Sequence, residues 1–353
     1  MPTNPQFDGV LACPAPLPAT ERVLLGHGSG GKLSAQLVER IFLPAFGNPT
    51  LEQLNDQATF SIDGVRLAMT TDNFVVKPLF FPGGDIGSLA VHGTVNDLAM
   101  GGAHPLYLSV AFILEEGLPL ETLQRVADSL HRAAHAAGVQ IVTGDTKVVE
   151  QGKGDGLFIN TTGIGVVPAG LILGSEQARP GDKIVLSGTL GDHGIAILAQ
   201  REGLEFETTI ESDSAPLHGL VDAILATGAT IRCMRDPTRG GLSSSLNEIA
   251  IRSQVGMVID EEAMPVREEV RGACELLGLD PLYVANEGKM IAIVEPSAAD
   301  RVVEAMRSHL YGREARIIGT VVEQHRGTVV MKTTFGTTRI VDMLAGDQLP
   351  RIC

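Results

Sequence analysis

Apolar positions along the chain switch between two periods, and the switches mark out its elements. Alternating or continuous apolar runs of strand length fall at 60–62, 65–70, 106–114, 139–143 and 157–167, and helical spacing fills 33–46, 85–101 and 120–137 between them. Asp63-Gly64 separates the first two runs and predicts a tight hairpin, because both residue types accept the left-handed conformation such a turn demands. A polar, turn-rich stretch over 174–181 then interrupts the pattern. Strand-like runs restart at 183–187, 255–259, 290–294 and 317–322, with helical runs at 194–200, 216–226, 241–252, 266–277 and 298–310. Residues 328–332 and 338–341 read as a small closing hairpin. Strands separated by helices, twice over, predict an α/β (α+β) chain of two domains, 21–173 and 174–327. A loose Pro-rich segment over 1–20 precedes them, and a hairpin with a mobile tail over 328–353 follows.

Composition narrows the class. A formal net charge of -15, with 42 acidic against 27 basic residues and no basic cluster, argues against nucleic acid or an anionic membrane as partner. No apolar run reaches membrane-spanning length and no signal peptide is evident, so a soluble, cytoplasmic protein is expected. The four cysteines, Cys13, Cys233, Cys274 and Cys353, are far apart and form no zinc or cluster motif. Glycine is abundant at 41 residues and sits where strand-like and helix-like runs meet, as in turns that approach a phosphorylated ligand.

Several constellations carry chemistry. Gly26-x-x-x-x-Gly31-Lys32 comes close to a P-loop, but Leu33 stands where a magnesium-binding hydroxyl is needed, so a Gly-rich flap over phosphates is the better reading. Asp72 ends one strand-like run, Asp97 lies in the Asn96-Asp97 step of a helix, and Asp145-Thr146 follows another strand. Carboxylates at the exits of neighbouring strands suit Mg²⁺ bridged to phosphates, and Asp72, Asp97 and Asp145 are expected to converge as its ligands. Lys147, two residues past Asp145, is placed to neutralise a transferring phosphoryl group. Asp236-Pro-Thr-Arg239-Gly-Gly241 sets an acid and a guanidinium before a helix N-terminus, and Glu287 on an Asn-Glu-Gly-Lys turn is a candidate base. Cys353, on the tail, offers a thiol that motion can carry into another site.

Asp72-Asn-Phe74, Gly93-Thr-Val-Asn-Asp-Leu-Ala-Met-Gly-Gly-Ala103, Gly144-Asp-Thr-Lys147, Asp236-Pro-Thr-Arg-Gly-Gly241 and Asn286-Glu-Gly-Lys289 resemble the ATP-binding superfamily of aminoimidazole ribonucleotide synthetase and selenophosphate synthetase. The opening His27-Gly-Ser-Gly-Gly-Lys32 and closing Pro350-Arg-Ile-Cys353 narrow the resemblance to the HypE family, carbamoyl dehydratases of NiFe-hydrogenase maturation. The likeness covers nearly everything after residue 20. It implies a homodimer whose first domains pair into a barrel-like core, with ATP and Mg²⁺ near the interface. It also implies that Cys353 receives a carbamoyl group from the carbamoyltransferase HypF and passes cyanide to iron on a HypC-HypD scaffold. Asp72, Asp97 and Asp145 would hold Mg-ATP, with Lys32, Asn96, Thr146, Asp236 and Arg239 completing the nucleotide site; Lys147 would act near the phosphates and Glu287 near the thiol. Two alternatives remain open on the residues alone: a selenophosphate synthetase-like enzyme, or a non-catalytic, nucleotide-responsive scaffold that holds iron through Cys353.

Overall fold

The computed structural model describes residues 21–204, 209–346, 349 and 351–353. The expected loose segment 1–20 and Pro350 of the closing motif lie outside them. The predicted hairpin is present as β1 (Ala58–Ile62) and β2 (Val65–Phe74), paired from Ile62–Val65 to Ala58–Met69 around the Asp63-Gly64 turn. After the two-residue strands β3 (Phe80–Phe81) and β4 (Gly84–Asp85), Asp85 caps helix α3 by accepting the N–H groups of Gly87 and Ser88; because helices α1 (Lys32–Leu37) and α2 (Leu43–Phe46) precede it, α3 is Ile86–Met100. β5 (His104–Glu115), α4 (Leu120–Ala136), β6 (Gln140–Val149) and β7 (Leu157–Val166) complete the first domain.

Its sheet has the order β1-β2-β7-β5-β6, and β5–β6 is the parallel pair. α3 and α4 cover one face, burying Leu89, Ala90, Val126 and Leu130 against Phe74, Leu108 and Ile159. The other face is open, with Met69, Tyr107 and Ile113 exposed. The predicted continuous helix over 33–46 is instead α1 and α2 joined by a π-helical turn, Val38–Phe42, with Pro44 at the start of α2.

In the second domain, β8 (Lys183–Leu186), α5 (Asp192–Glu202), α6 (His218–Leu225), β9 (Ile231–Arg235), α7 (Gly241–Ser253), β10 (Gly256–Asp260), α8 (Glu268–Leu277), β11 (Ile291–Val294), α9 (Ala299–Arg307), β12 (Arg316–Val322), β13 (Val329–Lys332) and β14 (Thr338–Val341) follow. The sheet order is β14-β13-β10-β12-β8-β11-β9. α7 packs on one face and α6 with α9 on the other, which is why β8 and β11 are apolar without alternation. The closing hairpin is not a separate appendix: β13 pairs with β10 in parallel and extends this sheet. β9 has no counterpart in the sequence reading, because Arg232 and Arg235 break its apolar run. α5 and α8 turn away from that sheet and share the first domain's core, together with Leu349, Ile352 and Cys353 of the tail.

Alternating strands and helices thus build two large mixed, mainly antiparallel sheets, with β3 and β4 as a separate small pair. No described helix is long and apolar enough to cross a membrane.

Candidate active site between the domains

The antiparallel pairing of β2 under α3 brings a carboxylate from each element to the seam with the second domain. Carboxylate oxygens of Asp56, Asp97 and Asp236, from the segment before β1, from α3 and from the loop after β9, lie within 4.8 Å of one another. The Thr70 hydroxyl is 2.7 Å from Asp97 Oδ2, and Arg235 Nε is 3.1 Å from Asp56 Oδ1. Asp72 points to the same side of β2, since a side chain at Gly93 of α3 would come within 3.7 Å of Asp72 Oδ2.

Burial raises the pKa of all four carboxyl groups; neighbouring acids add to the effect at Asp56, Asp97 and Asp236, while Arg239 opposes it at Asp72. Asp56 is pushed up to about 6 and Asp236 to about 8, while Asp97 is raised well above its usual range by burial and then by Asp236, Asp72 and Asp56. Asp56 Oδ2 has no hydrogen-bond partner among the described residues although it is buried. An oxygen set of this spacing fits Mg²⁺, whose opposed ligands stand about 4.2 Å apart, and a divalent cation would relieve the crowding.

Beside the acids lies the turn that carries Glu287. Asp213 accepts the N–H groups of Glu287 (3.1 Å) and Gly288 (3.3 Å) and pairs with Lys289 at 2.9 Å. Gly288 is required there, because a Cβ would sit 1.7 Å from the Asp213 carbonyl oxygen. Glu287 is buried, its Oε1 has no partner among the described residues, and burial followed by the charges of Asp236, Asp72 and Asp213 raises its pKa well above the carboxylate range.

The tail docks against this seam. Val75 N–H donates to the Cys353 carbonyl (2.9 Å) and Lys77 N–H to the Arg351 carbonyl (3.2 Å), so the last residues run beside the chain that leaves β2. Arg351 pairs with Asp155 and donates to the Val75 carbonyl, and the His193 ring lies 2.6 Å from the Ile352 carbonyl. Cys353 is 8% exposed, and burial pushes its thiol up to about 12, with Arg239 opposing and Glu287 and Asp72 adding to the rise. A cavity of about 150 Å³ adjoins it, lined among others by Gly28, Ser29, Arg239, Tyr283 and Leu344.

The Gly-rich segment 26–31 forms the roof. Gly30, at φ +73°, packs so closely that a Cβ would meet the Arg239 carbonyl at 2.4 Å, and Arg239 donates to the Gly28 carbonyl at 3.0 Å. Lys32 does not reach the acids: its side chain pairs with Asp342 and its N–H donates to Leu344 at 2.8 Å.

Three further expectations need correction. Asp145, Thr146 and Lys147 lie within β6, which runs on to Val149, and not at its exit. The row Asp72–Thr161–Val110–Gly144 crosses the sheet, so Asp145 is three strands from Asp72 and pairs with Ala111 on the opposite, open face. At about 4.8 Å per strand the separation is roughly 14 Å, too far to share one ion within a chain. Asp145 instead forms an exposed pair with Lys147 at 2.7 Å. Asn96 is also spent elsewhere: Nδ2 donates to the carbonyls of Ala215 and Glu287, and Oδ1 accepts Leu217 N–H, which rivets α3 to the second domain. Asp56 and Asp213 carry no signal in the sequence, whereas His193 stands in an Asp192-His193 step after Gly188 whose layout is like that of Asp236–Gly241.

A half-buried acidic cluster at the junction of two mixed α/β domains defines a class. The chain matches the profile of the AIR synthase related protein, N-terminal domain, over residues 54–167 and that of the C-terminal domain over 179–332. It is 61% identical over 333 residues to carbamoyl dehydratase HypE of Cupriavidus necator, covering 94% of this chain and 95% of that one. To carbamoyl dehydratase HypE of Escherichia coli it is 47% identical over 336 residues, covering 94% and 99%. Among solved structures, HypE in complex with ATP superposes with a TM-score of 0.80 at 50% identity, over 94% of this chain and 100% of the other. A crystal structure of a HypE-HypF complex gives 0.83 at 50% identity, over 87% and 99%. The chain belongs to the HypE family of carbamoyl dehydratases, within the AIR synthase related proteins.

Proposed function

We propose that this chain uses ATP to dehydrate a carbamoyl group carried on its own Cys353, leaving an S-cyanate that supplies the cyanide ligand of a NiFe-hydrogenase iron centre. The observation that carries the reading is the docking of the Cys353 thiol, buried beside Arg239, Glu287 and Asp72 at the acidic seam.

The docked thiol is neutral, because burial disfavours the thiolate. Attack on a carbamoyl donor therefore belongs to an undocked tail, which suits delivery by a separate carbamoyltransferase, HypF. Once Cys353-S-C(=O)-NH₂ has docked, its carbonyl oxygen attacks the γ-phosphorus of ATP and ADP leaves. Hydroxide is too poor a leaving group at neutral pH, whereas the phosphorylated oxygen departs as phosphate. One N–H proton passes to water on phosphorylation, and the second is removed as the C–O bond breaks and phosphate departs, giving Cys353-S-C≡N. Glu287, with a free buried oxygen and a raised pKa, is matched to take the second proton.

Asp56, Asp72, Asp97 and Asp236 are the residues that would hold Mg²⁺, which when bound offsets charge on the phosphoryl oxygens. Arg239 offers a guanidinium on the same side. Asp145, Thr146 and Lys147 join the nucleotide site through a homodimer. Their open sheet face, with Met69, Tyr107 and Ile113, packs against that of a second copy in a barrel-like core and brings them to the partner's phosphates. The cyanide is passed to iron on HypC-HypD in the cytoplasm.

Incubation with ATP, Mg²⁺ and the carbamoyl source, followed by mass spectrometry of the tail peptide, tests the reading. The carbamoyl adduct should lose the mass of water in step with ADP formation, and C353A should bind nucleotide yet give no modified peptide. An adduct that persists unchanged with ATP sinks it.

A further inference from the structure

We infer that His193, buried in the first turn of α5, is the positioning residue that fixes the Cys353 tail at the seam, by donating Nε2–H to the carbonyl of Ile352 at 2.6 Å. The inference rests on the dehydratase reading for its purpose but not for its geometry. The first domain holds the tail through backbone groups of Val75 and Lys77 and through the part-exposed Arg351–Asp155 pair. His193 reaches it from the second domain, with a fully buried side chain. The tail is thus clamped between domains one residue before its thiol.

The surroundings settle which ring nitrogen carries the proton. Ser214 N–H donates to Ser212 Oγ at 3.1 Å, and Ser212 Oγ lies 2.8 Å from His193 Nδ1. The serine hydroxyl proton is therefore free to point at Nδ1, which leaves the proton of a neutral ring on Nε2, facing a carbonyl that only accepts. Phe81 meets the ring edge-on at 5.7 Å and 87°, fixing its plane. The helix N-terminus under the ring disfavours a charged imidazole, and Asp213, the nearby acid, is already engaged by Lys289 and two N–H groups. When the tail leaves, Nε2–H loses the Ile352 carbonyl that faces it and the packing of the tail around it. The net worth of that hydrogen bond favours the docked tail, so His193 sets the balance between the docked and the travelling thiol.

Peptide-resolved labelling with N-ethylmaleimide reads this balance without nucleotide or carbamoyl donor, so it stands or falls apart from the dehydratase chemistry. In the wild type, Cys353 should label slowly, as should buried Cys233 and Cys274. H193N keeps a partner for Ser212 but cannot reach Ile352, and should speed labelling of Cys353 about tenfold while Cys233 and Cys274 stay protected. H193Q places an amide N–H near the Nε2 position and should restore slow labelling. With the carbamoyl donor and ATP, H193N should accept the carbamoyl group at least as fast as wild type and dehydrate it more slowly. Unchanged labelling of Cys353 in H193N, equal exposure of all three cysteines, or no restoration by H193Q would each overturn the assignment.

Discussion

Asp72 and Asp145 lie in adjacent rows of one sheet, three strands apart, and face opposite ways. Asp72 turns to α3 and the acidic seam, while Asp145 and Lys147 turn to the open face, 64% and 70% exposed. If a second copy covers that face, one nucleotide site draws Asp72 from one chain and Lys147 from the other. D72N and K147A should each be inactive alone. Mixed and allowed to exchange subunits, they should regain ATP-dependent loss of water from the carbamoylated tail, because one site of each mixed dimer is then intact. No regain on mixing, with dimers verified by light scattering, argues that each chain works alone.

Glu287 presents a buried oxygen with no partner among the described residues and a pKa raised first by burial. Replacing it with Gln keeps the shape and removes the base. E287Q should take up the carbamoyl group normally and dehydrate it about 10²–10⁴-fold more slowly, the usual worth of a positioned base. The check is the ratio of carbamoylated to cyanated tail peptide over time. Dehydration at the wild-type rate would assign the proton to another group.

The acidic cluster makes metal-free stability depend on pH in a definite direction. Asp56 and Asp236 rise from 3.8 to about 6 and about 8, chiefly by burial. A raised acid pKa contributes stability that is complete below the unfolded value and is lost as pH climbs through the folded one. Metal-free protein should therefore lose stability between about pH 4 and pH 8. Mg²⁺ with nucleotide should raise the Tm more at pH 8 than at pH 5. D236N should flatten the metal-free profile and abolish the Mg²⁺ gain. Equal Tm shifts at both pH values would show that the cluster does not hold the ion.

Legibility from sequence followed the range of the forces involved. The Asp63-Gly64 hairpin, α3 and α4 were readable because turn chemistry and helical periodicity are local. β9 was not, because Arg232 and Arg235 interrupt its pattern to make ion pairs with Asp182, Asp56 and Glu248 that only the fold supplies. The site divided in the same way. Asp72, Asp97, Asp236, Glu287 and Cys353 stand in motifs that can be seen in sequence, and the fold gathers them. Asp56 sits in Leu54-Asn55-Asp56-Gln57 with no motif around it, and joins the cluster through Arg235, far along the chain. Asp145 was misplaced because side-chain alternation in a strand is readable, but its phase relative to a strand three positions away is not.

The turn before β11 ties stability to chemistry at one backbone position. Gly288 lies against the Asp213 carbonyl, where an added Cβ would stand 1.7 Å from the oxygen. Neither side can give easily: Gly288 N–H is 3.3 Å from the Asp213 carboxylate, which also grips Glu287 and Lys289. G288A should destabilise the fold by about 3 kcal/mol, the upper end of overpacking, and should shift Glu287 away from the tail. Gly28, in the Gly-rich roof, has nothing among the described residues within 4 Å of an added Cβ. G28A should thus leave the Tm unchanged within error. Thermal unfolding of both variants, read beside tail-peptide cyanation, separates the two positions. If G288A proved as stable and as active as wild type, the turn would be free to move and could not be what fixes Glu287 in place.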